Sequence, residues 1–229
     1  MIQPRLYGAL ILLLVSTVSA HAADAPYRIK ETNSPIPVDL KPVLAKLLEA
    51  KSIQLLDAKG NLLSEIWMRK EVPAQATPEQ IKNGLTYAEV PETTLLGVMQ
   101  VVQPTTDYRK HKIKPGLYTF RLTVQPMDGD HMGTAPYRDF CLLVPAADEK
   151  DGEPLANAKE LHEMSSKSTG KSHPAIFLLF PTTKAPAAPQ LMSKDNDHWV
   201  LNFKAPIKAG NEKGEMGFNL TLIGHTTAE

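Results

Sequence analysis

The sequence predicts a mainly β protein: an antiparallel β-sandwich of about eight strands, immunoglobulin-like or related, with two or three short peripheral helices. Residues 116–124, GLYTFRLTV, alternate apolar and polar side chains with period two, the mark of a strand with two unlike faces. Short apolar runs recur along the chain between Pro, Gly, Asp and Asn, which supply turn geometry. The alternating strand–helix rhythm of a parallel sheet is absent from the sequence.

Residues 1–22 read as a secretory signal peptide. Arg5 precedes an apolar run, and Ala20-His21-Ala22 closes it with small residues flanking the cut. The run is shorter than the ~20 residues a membrane-spanning helix needs, so no spanning segment is expected after cleavage. Residues 23–36, rich in proline, read as an extended N-terminal arm, and 37–229 as a single β-sandwich domain.

Within the domain, DLKPVLAKLLEAK (39–51) sets Leu40, Val43, Leu44, Leu47 and Leu48 on one helical stripe, with Asp39 as cap and Pro42 in the first turn. Residues 52–70 form a hairpin whose turn, DAKGN, offers Asp57 and Gly60. ATPEQIKNG (76–84) is a short helix opened by Thr77-Pro78 and closed by Gly84. TLLGVMQVV (94–102) is apolar on both faces, as a central strand is. In 116–124, Tyr118, Phe120, Leu122 and Val124 take the buried face, and Thr119, Arg121 and Thr123 the wet one. DFCLLVP (139–145), AIFLLFP (175–181), HWVLNFK (198–204) and MGFNLTLIG (216–224) continue the strands. Phe120, Leu122, Phe140 and Leu142 are expected to face one interior from neighbouring strands. A helix is expected at 153–165 with Pro154 in its first turn; SSKSTGKSH (165–173) and KAPAAPQ (184–190) read as loops.

Composition narrows the chemistry. The chain carries 25 basic and 25 acidic residues, without the basic face that nucleic-acid binding needs. The densest basic cluster, YRKHKIKPG (108–116), reads as a solvated loop. Cys141 is the one cysteine, so no internal disulfide forms and a packed core must hold the fold; its apolar run points to a buried thiol. STGKS (168–172) imitates the end of a phosphate-binding loop, but Ser165 stands where the first glycine belongs and a helix precedes it. The G-x-S-x-G, H-E-x-x-H and C-x-x-C motifs are absent, which favours binding over catalysis and assigns no catalytic residue. NLT (219–221) matches a glycosylation acceptor but lies within an expected strand.

The candidate site is the loop in QPMDGDHMGTAPYR (125–138), about 12 residues long and longer than an ordinary hairpin turn. Asp128, Asp130, His131 and Arg138 are its candidate binding residues. Two readings stay open. The polar side chains can close an ordered loop upon itself, with Asp128-Gly129 as the turn. Alternatively, no cofactor being otherwise expected, the loop is a metal site: calcium through Asp128, Asp130 and carbonyls, or copper through His131 with Met127 or Met132. Of the other histidines, His198 and His225 fall near the open end of the last hairpin, on its expected wetter face with Asn202, Lys204, Asn219 and Thr221.

IKPGLYTFRLTVQPMDGDHMGTAPYRDFCLLVPAA (113–147) resembles a block in a family of uncharacterised exported bacterial proteins with no assigned activity. The resemblance rests on KPGLYTF, DGDHMGTAP and RDFCLLVPAA, and more loosely on SEIWMRK and TLLGVMQ. It implies an exported bacterial protein and carries over no catalytic residue. The function expected is a non-catalytic binding role, periplasmic or secreted, toward a protein or small-molecule ligand. The alternative is a cell-envelope metal-binding protein using 127–132, and a carbohydrate-binding module comes third. That third reading needs an exposed aromatic platform, while Trp67 and Trp199 both fall in expected strands.

Overall fold

The computed structural model describes residues 25–126, 129, 133–182 and 184–228. The expected signal peptide therefore lies outside the described residues. Thirteen strands are present among the described residues, more than the sequence marks, because short pairings at loop ends add to the long ones. Strands β1 (Tyr27–Thr32), β2 (Leu48–Asp57), β3 (Leu62–Arg69), β5 (Leu95–Val101), β8 (Gly116–Val124), β9 (Asp139–Pro145) and β10 (Ala175–Leu178) form one seven-stranded antiparallel sheet in that order. A smaller sheet joins β11 (Gln190–Lys194), β12 (His198–Ala209) and β13 (Glu212–Ile223), with the two-residue β4 (Val72–Pro73) parallel to β12. β6 (Thr105–Thr106) and β7 (Lys112–Ile113) make a separate ribbon. The segment read as an arm contains β1, which forms an edge of the large sheet.

The two sheets face each other across one core and make a β-sandwich. Ile66, Phe120, Leu122, Cys141 and Leu143 enter it from the large sheet; Leu201, Phe203, Phe218 and Leu220 enter from the small one. Phe203 and Phe218 stack with centroids 5.3 Å apart. The β2–β3 hairpin turns as its sequence predicts. Asn61 N–H donates to Asp57 Oδ1 at 2.8 Å, and Gly60 sits at φ +87°, where a side chain is disfavoured. Helix α2 (Pro78–Asn83) starts at the expected Thr77, whose hydroxyl accepts from Gln80 N–H while the Gln80 side chain caps Thr77 N–H in return.

Three expectations are corrected. The helix expected over 39–51 is a single turn, α1 (Pro42–Ala45), and β2 begins at Leu48. Leu40, Leu44 and Leu48 do bury together against Trp67, Leu95 and Val98, but Leu48 reaches that cluster as a strand residue opposite Arg69. Pairing with β3 offers backbone hydrogen bonds that override the helical spacing. The helix expected at 153–165 is α3 (Ala158–Thr169), because Asn157 caps it by accepting from Glu160 N–H at 3.0 Å. The polar SSKST is therefore its last turn rather than a loop, and Gly170 ends it in the left-handed region.

The third correction concerns faces. Alternation in β8 is real, but its polar face is dry: Thr119, Arg121 and Thr123 are 0, 1 and 2% exposed. Residues 146–157 and α3 lie over that outer face. Glu149, itself buried, takes a bidentate pair from Arg121 at 2.7 and 2.6 Å, and Thr119 Oγ1 donates to it at 2.5 Å. Register then separates the four expected core residues. Leu122 pairs with Cys141 and Thr123 with Phe140, so Phe140 and Leu142 share the outer face with Arg121, opposite Phe120 and Leu122. Leu142 packs there against Leu161 of α3, and Phe140 against Tyr108. The large sheet is thus covered on both faces, as the doubly apolar 94–102 run requires. No helix among the described residues is long and apolar enough to cross a membrane.

Candidate functional site

α3 covers β9 and β10 only in part. Beside it, on the outer face of the large sheet, lies a cleft of about 490 Å³. Its floor is apolar: Phe140 and Leu142 from β9 and Ile176 from β10, bordered by Thr123 of β8. One wall is α3, where Lys159 and Glu163, and His162 and Ser166, lie one helical turn apart on a shared face. The opposite wall is the tip of the β6–β7 ribbon with Tyr108 and Arg109; Pro174, His173 and Thr226 complete it. Gln125, Pro126, Thr134 and Ala135, the base of the 125–138 loop, close the end.

The ribbon tip is fixed in place by Asp107, whose carboxylate is fully buried. Its Oδ1 accepts from Arg109 and His111 N–H at 2.9 and 2.7 Å; its Oδ2 accepts from Ile176 N–H at 3.1 Å and from His111 Nδ1 at 3.0 Å. Tyr108 is tied on both sides: its N–H donates to Ile176 O, and its carbonyl accepts from Thr226 N–H, each at 2.8 Å. Its ring stacks on His198 at 5.7 Å and lies 6.3 Å from Phe140. Burial raises the Tyr108 hydroxyl above its ordinary range, against a smaller lowering by its hydrogen bond to Thr226. The cluster read as a solvated loop is therefore solvated only in part. Arg109, Lys110 and Lys112 are exposed, but Tyr108 is 4% exposed and wedged into the fold.

The histidines gather around the same ribbon. His225 Nε2 and Thr106 Oγ1 share a hydrogen bond at 2.7 Å. Burial, then the neighbouring charge of Lys110, lowers the His225 pKa; Asp107 opposes and His198 adds to the lowering. His111 and His173 stack in parallel at 5.8 Å. His198 donates from Nδ1 to Asp195 O at 2.7 Å and is 4% exposed. The face of the last hairpin expected to be wetter is thus dry over His198, Asn202, Asn219 and Thr221, while Lys204 is exposed. The cause is the chain at 179–181, which lies along β13: Phe180 N–H donates to Asn219 O, and Asn219 Nδ2 donates to Pro181 O at 2.6 Å.

Of the loop residues singled out from sequence, Asp128, Asp130 and His131, with Met127 and Met132, lie outside the described residues. Arg138 is exposed and does not line the cleft; its carbonyl accepts from Gln125 N–H at 2.7 Å and pins the neck of the loop. Gln125 Nε2 adds a bond to Thr134 Oγ1 at 2.8 Å. Among the described residues, no three His, Cys, Asp or Glu side chains are grouped to hold a metal ion. Cys141 points into the core, where burial, and secondarily Asp139, pushes its thiol far up. Trp67 is 2% exposed, and Trp199 packs edge-on against Tyr27 at 5.6 Å.

A second cavity, about 770 Å³, opens at one end between the sheets, walled by inner-face side chains such as Leu55, Met99, Phe177 and Leu222. It follows the seam between the sheets and carries Gln103, Lys112 and His225 at its rim; the outer cleft gathers polar groups from the ribbon tip, the loop base, α3, residues 172–173 and Thr226 around an apolar floor, the common form of a small-molecule site. Sequence reasoning missed Tyr108, Arg109, Lys159, His162 and His173 as neighbours. The one available signal was the i, i+4 spacing along α3. No protein-family model, no curated protein and no solved structure matches this chain.

Proposed function

We propose that this chain is an exported binding protein, periplasmic or secreted, that acts without catalysis by taking a small, largely apolar molecule into the outer cleft. The observation that carries the reading is the cleft itself: a cavity beside α3 reaches down to Phe140, Leu142 and Ile176, the first two buried and the last partly so, and the ribbon tip, the loop base and Thr226 line its sides. Apolar floor with a polar rim is what a ligand that buries most of its surface needs. The signal-peptide reading of residues 1–22 and the resemblance over 113–147 support export. Mass spectrometry of the protein from its native host is expected to find a chain starting near Ala23; full-length chain in the cytosolic fraction refutes export.

Binding is tested with the neutral fluorophore N-phenylnaphthylamine. The wild-type protein is expected to bind it saturably at one site. Ala135→Trp, which places a large ring at the loop end of the cleft, is expected to weaken binding about tenfold or more with little change in melting temperature. Equal binding by the two proteins removes the cleft as the site.

A further inference from the structure

We propose that the ligand of the outer cleft is a free, single-chain amphiphile with one anionic head, such as a carboxylate; this rests on the cleft reading above. The floor of Phe140, Leu142 and Ile176 suits an alkyl or similarly apolar body. The head is set by the rim. Arg109, at the ribbon tip, and Lys159, on the first turn of α3, line the cleft from two separate elements. Both are exposed. The Lys159 ammonium has only a loose neighbour in Glu163, at 4.0 Å, with both side chains largely in water. Arg109 makes no side-chain hydrogen bond or ion pair among the described residues. Glu163 is the one carboxylate among the described lining residues, so two cationic side chains stand against one anionic one around the cleft. A carboxylate head at the mouth balances that charge, and an ammonium head there meets two like charges. The floor is recessed behind α3, the ribbon tip and the loop base, which a single chain can enter and a flat bilayer cannot.

Calorimetry at pH 8 and low salt tests this with hexanoate, octanoate and decanoate below their micelle concentrations. Affinity is expected to rise about fourfold per added methylene until the cleft is full. Decanoate is expected to bind about tenfold tighter than decyltrimethylammonium, a preference that shrinks as salt is added. In the Arg109→Glu/Lys159→Glu variant the preference should vanish or reverse, with the melting temperature near the wild-type value as the check that the fold is intact. A preference for decanoate that survives the double reversal, or equal binding of the two decyl compounds by the wild type, overturns the anionic head but leaves the cleft reading standing. If the fluorophore and both decyl compounds all fail to bind, the cleft reading falls with it. Co-sedimentation with phosphatidylglycerol vesicles in the absence of decanoate binding assigns the rim to a membrane surface and also overturns the proposal.

Discussion

Arg121→Ala is expected to lower the free energy of unfolding by about 3–5 kcal/mol, the range for breaking a buried ion pair by removing one partner. The guanidinium is 1% exposed, and so is the Glu149 side chain. Its fork meets both carboxylate oxygens, and Nη1 donates to Thr93 O at 2.6 Å and Glu153 O at 3.0 Å. One side chain thus ties β8 to the turn before β5 and to the strap at 149–153 that covers the outer face. Truncation leaves the Glu149 carboxylate buried with only the Thr119 hydroxyl to satisfy it. Arg121→Lys keeps the charge but loses the planar fork, so it should lie between the alanine variant and the wild type. Arg121→Met combined with Glu149→Leu should cost less than Arg121→Ala alone, since no charge is then stranded. Urea unfolding followed by tryptophan fluorescence measures all three. A loss under about 1 kcal/mol for Arg121→Ala would mean that water reaches the pair and that the strap is loosely held.

That pair also shows where the sequence stops being legible. Period-two alternation in 116–124 locates β8 and separates its faces, because the pleat dictates it. It does not say what covers each face. Thr-Arg-Thr reads as wet unless Glu149, 28 residues away from Arg121, is known to fold back onto it. Local chemistry was legible where it is decided locally: the Asp57–Gly60 turn, the Thr77 cap with Gln80, and the apolar run of β5. Leu40, Leu44 and Leu48 misled because helix and strand can both bury that spacing when the partner is distant. The cleft was harder still. Its walls come from residues 108–109, 125–126, 134–135, 159–166, 172–174 and 226, and no spacing along the chain brings them together. The 125–138 loop was marked as a site by its length and its polar residues; what the described residues contribute is its base, which forms the end of the cleft.

On the other face of β8, Phe120→Ala is expected to cost about 3–5 kcal/mol, as large-to-small changes in packed cores do. Phe120 is 1% exposed in the core shared by both sheets. Its place is set by Gly97, its cross-strand partner on β5. A methyl group at Gly97 would lie 2.6 Å from Phe120 Cζ and 2.5 Å from Trp67 O, so glycine leaves the room that the ring fills. Gly97→Ala should therefore be destabilising by overpacking, on the order of 1–3 kcal/mol or more. The two changes are coupled. Removing the ring relieves one of the two clashes, while the Trp67 carbonyl, being backbone, still stands in the way. The Phe120→Ala/Gly97→Ala variant should then lose less stability than its two parents added together, by more than the ~0.5 kcal/mol expected of independent sites, yet stay less stable than either Phe120→Ala alone or the wild type. Strict additivity in urea unfolding would show that the ring does not rest over Gly97. A Phe120→Ala loss under about 1 kcal/mol would place Phe120 outside the packed core altogether.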